Sequence, residues 1–309
     1  MHSRQLGASG LRVSAVSLGS WLTFGESVDP SATVDLVRRA FDLGVTLFDT
    51  ADVYANGAAE SALGRALHEL PRAHVVIATK CFFPASERPN DRGLSRKHIT
   101  ESVEASLRRL GTDYLDLFLL HDDDGRTPAA EIAESMDRLV RAGKIRYWGL
   151  SNFKAGKVEQ YAGLAGKEIR SRIAGTEDYF HIAAGLRMPT KLLEVIGSRG
   201  RGILAFSPQD CGRLSPGRKE NSAYGSLIGT LDEVAAELET TRPRVLIAWS
   251  LAHPAVTSVL GGAESEAHVD DNIGGVALKI PRELMARLNQ ASQAHTVRRR
   301  AREAGRGRP

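Results

Sequence analysis

The sequence predicts a single α/β domain, a (β/α)8 TIM barrel with an N-terminal β-hairpin and a C-terminal basic tail. Three observations predict it. Short β-branched or apolar runs alternate repeatedly with amphipathic stretches of helical length. No linker rich in Pro, Gly or Ser divides the 309 residues, a length that one barrel fills. Polar and ionisable residues recur where the apolar runs end, which is where a barrel gathers its chemistry.

The elements follow in chain order. His2–Leu6 and Leu11–Val13 flank a Gly7–Gly10 turn and read as a hairpin able to plug the barrel's N-terminal mouth. The strand-like runs are Val13–Leu18, Val45–Phe48, His74–Thr79, Leu115–Leu120, Ile145–Leu150, Ser171–Gly175, Gly202–Phe206 and Val256–Leu260. Helical segments are expected at 31–43, 58–69, 96–109, 128–142, 154–165, 187–199, 229–252 with a break at Pro243, and 266–274. Pro30-Ser31 and Thr127-Pro128 mark helix starts, and Gly44 and Gly143 mark stops.

At 42% apolar and 25% charged the chain has the composition of a globular domain. Its longest apolar runs fall short of the roughly 18 residues of a membrane span, so no membrane insertion is expected. Met1–Gly10 lacks the apolar core of a secretory leader, and Cys81 and Cys211 cannot build a disulfide framework or a zinc cluster. A cytoplasmic location is expected. The formal charge of +4 is not spread evenly: residues 297–309 carry six arginines against Glu303, which leaves −1 for residues 1–296. The reading is therefore a barrel over 1–296 and an Arg-rich, disordered, solvated tail over 297–309, with no nucleic acid expected.

The strand ends carry the chemistry. Asp49 closes the second run and Tyr54 follows it; Lys80 closes the third, His121 the fourth, Ser151-Asn152 the fifth and Ser207 the seventh. A phenol is a poor acid at neutral pH. An ammonium close by stabilises the phenolate, and an aspartate keeps that ammonium charged and fixed. A histidine across the site orients a carbonyl oxygen, so the set makes a proton donor and a cradle for a developing alkoxide. It offers no nucleophile and no metal site; Asp122, Asp123 and Asp124 read as loop caps, and Cys81 and Cys211 as small packing residues. A proton donor alone points to hydride delivered by a cofactor.

Three motifs stand out: Leu47-Phe-Asp-Thr-Ala-Asp-Val-Tyr54 through Asn56-Gly-Ala-Ala-Glu60 and Leu63-Gly64, then Leu110-Gly-Thr-Asp-Tyr-Leu-Asp-Leu117 with His121, and Gly149-Leu-Ser-Asn-Phe153. In this order they resemble the aldo-keto reductase superfamily. The resemblance spans about residues 3–290, and Leu18–Gly25 and Ser207-Pro208…Cys211-Gly212 place it nearest the branch of potassium-channel β subunits.

The resemblance implies reduction of an aldehyde or ketone to an alcohol with NADPH. Tyr54 would be the general acid, Asp49 and Lys80 its tuning pair, and His121 the carbonyl-orienting group. Ser151, Asn152 and Thr176 would meet the nicotinamide carboxamide and Phe206 its ring. Ser207, Gln209, Cys211, Gly212 and Lys219 would line the pyrophosphate path. Gly261, Gly262, Ser265, His268, Asp271 and Asn272 would surround the adenosine end. Ser20 and Trp21 would border nicotinamide and substrate. Independently of the resemblance, His181 follows Tyr179-Phe180 on an expected rim loop and reads as a substrate contact.

Three positions depart from the family pattern: Thr176 for glutamine, Gln209 for leucine, and His268 for arginine or glutamine. The adenosine segment 261–272 holds no lysine or arginine, so usable activity with NADH is expected. Two alternatives stand beside the carbonyl reductase: a reductase of a nucleotide-activated keto- or enoyl-sugar, and a non-catalytic cofactor-binding channel β subunit. A homo-oligomer is compatible with either class.

Overall fold

The computed structural model describes residues 1–164, 170–184, 202–216 and 224–305. Strands β1 (Ser3–Gln5) and β2 (Arg12–Ser14) pair antiparallel as the expected hairpin. Then follow β3 (Val16–Gly19), α1 (Pro30–Asp42), β4 (Leu47–Asp49), α2 (Ala58–Leu67), β5 (Val76–Cys81), α3 (Arg96–Leu110), β6 (Leu115–Leu120), α4 (Ala129–Arg141), β7 (Ile145–Ser151) and α5 (Ala155–Leu164). The remainder is β8 (Ile173–Tyr179), β9 (Ile203–Phe206), α6 (Gly225–Glu237), α7 (Arg242–Ala252), β10 (Val256–Gly261), α8 (Glu266–Gly274) and α9 (Arg282–Gly305). Strands β3 to β10 close a parallel barrel in chain order, β10 returning to β3.

Local chemistry sets the boundaries. Asp29 Oδ1 accepts from the amides of Ser31 and Ala32, capping α1 with Pro30 in its first turn. Gly44 and Gly143 take the left-handed conformation just past α1 and α4. Pro243 sits in the first turn of α7, which splits the expected 229–252 segment into α6 and α7.

The lower barrel interior is apolar. Leu47, Ala78, Leu117, Leu119, Ala174, Leu204 and Leu260 fill it, and Leu6 and Val13 of the hairpin join them from below. The plug fits closely: a β-carbon at Gly175 would stand 2.4 Å from the Gly202 carbonyl and 2.8 Å from Leu6 Cδ1. With the lower mouth shut, the opposite end is the one left for a ligand.

Two expectations shift. The sixth run begins later than Ser171 and continues to Tyr179, because acidic residues that resemble a loop are paired as strand on both sides. No helix was expected after residue 274, yet α9 runs from 282 through Gly305 and takes in Arg298, Arg299, Arg300 and Arg302 of the expected tail, while 306–309 lie outside the described residues. Arginine and alanine propagate a helix that is already nucleated and docked, through Leu288 and Ser292, on the barrel wall. The expected helix 187–199 lies outside the described residues. Among the described residues no helix is long and apolar enough to cross a membrane.

Candidate active site

Asp49 ends β4, Lys80 lies one residue inside the end of β5, His121 follows β6 and Ser151 ends β7. Adjacent parallel strands thus present these residues at one mouth. Tyr54 arrives on a 3-10 turn, Tyr54–Gly57, in which Ala55, Asn56 and Gly57 all have positive φ (47°, 52° and 87°). A left-handed alanine costs about 1–2 kcal/mol, so the turn must be held from outside. Glu60, fully buried in the first turn of α2 just after it, anchors that helix: it accepts from Thr79 Oγ1 of β5 at 2.6 Å and pairs with Arg109 of α3 at 2.6 Å.

The four residues expected to act together do meet. The Lys80 ammonium, 0% exposed, donates to Asp49 Oδ2 at 2.6 Å and to the Thr50 carbonyl at 3.0 Å. It sits 5.2 Å from the centre of the Tyr54 ring. Tyr54 Oη lies 3.5 Å from His121 Nε2. A residue absent from the sequence reading joins them: Glu177 of β8, its Oε1 at 3.2 Å from Lys80 Nζ. Placing the strand end at Gly175 hid it; the run Thr176-Glu177-Asp178 reads as a polar loop until its pairing to Ser151 and Leu204 is seen.

Electrostatics sort the protons. Burial works to lower the Lys80 ammonium, but the Asp49 and Glu177 carboxylates prevail and hold it above the ordinary lysine value. His121 is pushed down to about 3 by burial and then by the Lys80 charge, so its imidazole is neutral. For Tyr54 the sequence expectation needs correction. Lys80 does pull the phenol down, yet burial outweighs it, and Asp49 and Glu177 add to the rise.

Aromatic rings frame the mouth. Trp21, 40% exposed, stacks at 6.4 Å on Tyr54 and meets Phe206 edge-on at 6.2 Å. Phe83, also missed in the sequence, packs 4.9 Å from the His121 ring. Asn152 takes φ 61° and donates from Nδ2 to Ser151 Oγ at 3.0 Å and to the His121 carbonyl at 3.4 Å. The buried Ser20 hydroxyl faces no protein partner among the described residues. Thr176 spends its hydroxyl on Asp178 at 2.6 Å, on the strand face opposite Glu177.

The residues expected along the cofactor path form a second group. Ser207, Cys211 and Gly212 lie in a turn of positive φ after β9. Gln209 Nε2 donates to Asn272 Oδ1 at 3.1 Å, and Asn272 Nδ2 to the Gly262 carbonyl at 3.0 Å, tying this turn to the loop after β10. Ser265 caps α8 by accepting from the His268 amide, and the His268 ring accepts from the Glu264 amide at 3.3 Å. Asp271 pairs with Arg244 at 3.1 Å. Lys219 lies outside the described residues.

His181 is not at the rim. It is 1% exposed, edge-on to the Tyr179 ring at 4.4 Å and 3.7 Å from Asp210, and burial pushes it down to about 4. The exposed neighbour is Tyr179, whose hydroxyl donates to Asp210. Asp124 accepts from the Leu94, Arg126 and Thr127 amides, which gives that carboxylate a structural occupation.

Asp52, two residues before Tyr54, is buried, and burial raises its carboxyl to about 7, with Glu60 adding and Arg109 opposing. Between its ordinary 3.8 and about 7 the folded chain holds a proton that the unfolded chain has released. Stability at this position therefore falls as pH rises through that window. Asp52→Asn removes the slope: the variant should melt a few degrees above wild type near pH 8, and the gain should vanish below about pH 4. A gain equal at both pH values would refute the assignment.

The Aldo/keto reductase family profile matches residues 15–293. Among curated proteins the chain is similar to one named "Probable voltage-gated potassium channel subunit beta" from Arabidopsis thaliana, 34% identical over 89% of this chain and 91% of that protein. It is similar to a "Putative voltage-gated potassium channel subunit beta" from Schizosaccharomyces pombe, 33% identical over 93% and 92% of the two chains. It also matches a "Probable voltage-gated potassium channel subunit beta" from Oryza sativa subsp. japonica, 33% identical over 88% and 90%.

Proposed function

Because the chain belongs to the aldo/keto reductase family and is an oxidoreductase of that kind, we propose that it reduces an aldehyde or ketone to the alcohol with NADPH. One observation carries the reading: a fully buried lysine, ion-paired to Asp49, lies beside a tyrosine that stands 3.5 Å from a neutral histidine.

The residues at the mouth suit a nicotinamide cofactor. The partnerless Ser20 hydroxyl, the Asn152 amide and the Phe206 face offer hydrogen bonds and a ring surface, and the N-terminus of α8 favours a phosphate. When bound, NADPH supplies the hydride. Tyr54 Oη gives its proton to the carbonyl oxygen, Lys80 offsets the phenolate left behind, and neutral His121 orients that oxygen by a hydrogen bond. Trp21 and Phe83 shield the reacting atoms from water.

Turnover across a panel of aldehydes and ketones, followed by loss of NADPH, tests the reading. Cofactor binding without turnover of any carbonyl would favour the second reading, a regulatory subunit, which the names of the relatives raise. A nucleotide-activated keto- or enoyl-sugar belongs in the panel because the mouth does not define the substrate's size. The site chemistry and the nearly neutral body fit a cytoplasmic small-molecule enzyme.

Cofactor preference follows from the adenosine end. Glu264 and Glu266 stand there, the Ser265 hydroxyl already caps α8, and the nearby Arg39 and Arg244 are paired with Asp270 and Asp271. Each charge-assisted hydrogen bond to the 2′-phosphate contributes roughly 1.5–3 kcal/mol, about one to two decades. A preference for NADPH over NADH below about a thousandfold is expected. Dissociation constants for both cofactors decide it. A larger preference would overturn the prediction.

A further inference from the structure

Lys80 is one cation against two carboxylates. Asp49 reaches it from β4 at 2.6 Å and Glu177 from β8 at 3.2 Å, and all three side chains are buried. Fully ionised, the group would carry a net negative charge in a site shut off from water, and no further cation is paired with it among the described residues. Asp49 Oδ1 and Glu177 Oε2 face no donor among the described residues, and the two carboxyl groups converge on the same ammonium. Two carboxylates in that position repel; a proton on one of them turns repulsion into a hydrogen bond.

We propose that Glu177 is a positioning residue for Tyr54: it holds a proton that it shares with Asp49, and this proton keeps the Lys80 cluster neutral while Tyr54 acts as acid. The inference rests on the reductase reading for its catalytic half. Asp49 keeps the charge because it is the nearer to the ammonium, and Glu177 keeps the proton. Burial, reinforced by the Asp49 charge and opposed by Lys80, raises the Glu177 carboxyl well above the ordinary range.

The proton balance is simple. With Glu177 protonated, the cluster holds one ammonium, one carboxylate and one carboxylic acid. When Tyr54 passes its proton to the carbonyl oxygen, the phenolate forms beside a neutral group. Once Glu177 has lost its proton to solvent at higher pH, the same phenolate must form beside a net negative charge, and Tyr54 becomes a weaker acid. The titratable groups facing Glu177 are Asp49 from β4, Lys80 from β5 and Tyr54 from the turn after β4, with His121 after β6 beyond the Tyr54 hydroxyl. Its register partners, Ser151 on β7 and Leu204 on β9, carry no charge.

Two measurements test this, one of them independent of turnover. Infrared spectra of the wild-type protein near neutral pH should contain the carbonyl stretch of a buried protonated carboxyl that shifts when glutamate side chains are isotope-labelled. The band should disappear in Glu177→Gln and fade as pH rises. Absence of any such glutamate band overturns the proposal, and this arm needs no variant to fold. In the second arm, kcat of Glu177→Gln relative to wild type is followed across the alkaline limb. The ratio should climb by at least about tenfold, because the amide cannot ionise. A ratio independent of pH would leave Glu177 a structural residue and overturn the proposal. A glutamate band together with no turnover of any carbonyl would count against the reductase reading while the shared proton stands.

Discussion

Tyr54→Phe should lower kcat for carbonyl reduction by at least about a hundredfold, the usual consequence of losing a general acid. The substitution keeps the ring, which stacks at 6.4 Å on Trp21 and packs edge-on at 5.6 Å from His121, so the mouth keeps its shape. It deletes one atom, the Oη that stands 3.5 Å from His121 Nε2. Neither remaining group at the mouth replaces that proton. His121 is neutral, and its protonated form is scarce because burial and the Lys80 charge hold it down at about 3. Lys80 donates to Asp49 and Thr50, and its ion pairs bind its proton more tightly than usual. The dissociation constant for NADPH should stay within about twofold, since in the proposed mechanism the hydroxyl acts on substrate oxygen. Steady-state turnover with a good aldehyde, beside a fluorescence titration of cofactor, reads both effects. Near-full turnover would remove Tyr54 from the mechanism. A parallel collapse of cofactor affinity would make it a binding residue instead.

The sequence carried the barrel and its four polar strand ends because both are local patterns. Apolar runs terminate in Asp49, Lys80 and Ser151 or just before His121, and parallel strands place such termini on one rim without any knowledge of packing. Glu177 could not be read that way. Its side chain crosses the barrel to a lysine from a strand three positions away, and its neighbours Thr176 and Asp178 disguise a strand end as a loop. Phe83 was hidden for a similar reason: it follows β5 in an irregular segment, and only its approach to His121 gives it a place at the mouth. His181 failed in the opposite direction. A histidine after an aromatic pair at a strand end looks like rim, but Asp210 and Tyr179 cover it. The helix over 282–305 escaped because its hydrophobic face is narrow and its C-terminal half is arginine-rich, a composition shared by solvated tails.

Lys80→Met should have the second large effect, and on two properties at once. Methionine matches the length of the lysine stem, so the cavity stays filled while the charge leaves. The phenolate on Tyr54 then forms with no cation near it, and loss of such electrostatic support typically costs about a hundred- to a thousandfold in kcat. The fold also suffers, because Asp49 and Glu177 remain buried without the ammonium they both face. Removing one partner from a buried ion pair costs about 3–5 kcal/mol. The sign with pH follows from the carboxyl groups: without Lys80 their folded pKa values move further above the ordinary 3.8 and 4.5. The variant's stability should therefore be lowest at neutral and alkaline pH and recover as pH falls toward those ordinary values. Adding Asp49→Asn and Glu177→Gln to Lys80→Met removes every charge of the cluster, and a fully neutral buried group is often as stable as the ionic one. The triple variant should thus regain much of the lost melting temperature while its turnover stays at the level of the single variant. Recovery of stability without recovery of kcat would separate what the cluster does for the fold from what it does for Tyr54. If the triple variant melts as low as Lys80→Met, packing and not charge is the cause; if Lys80→Met turns over like wild type, the ammonium has no part in the chemistry.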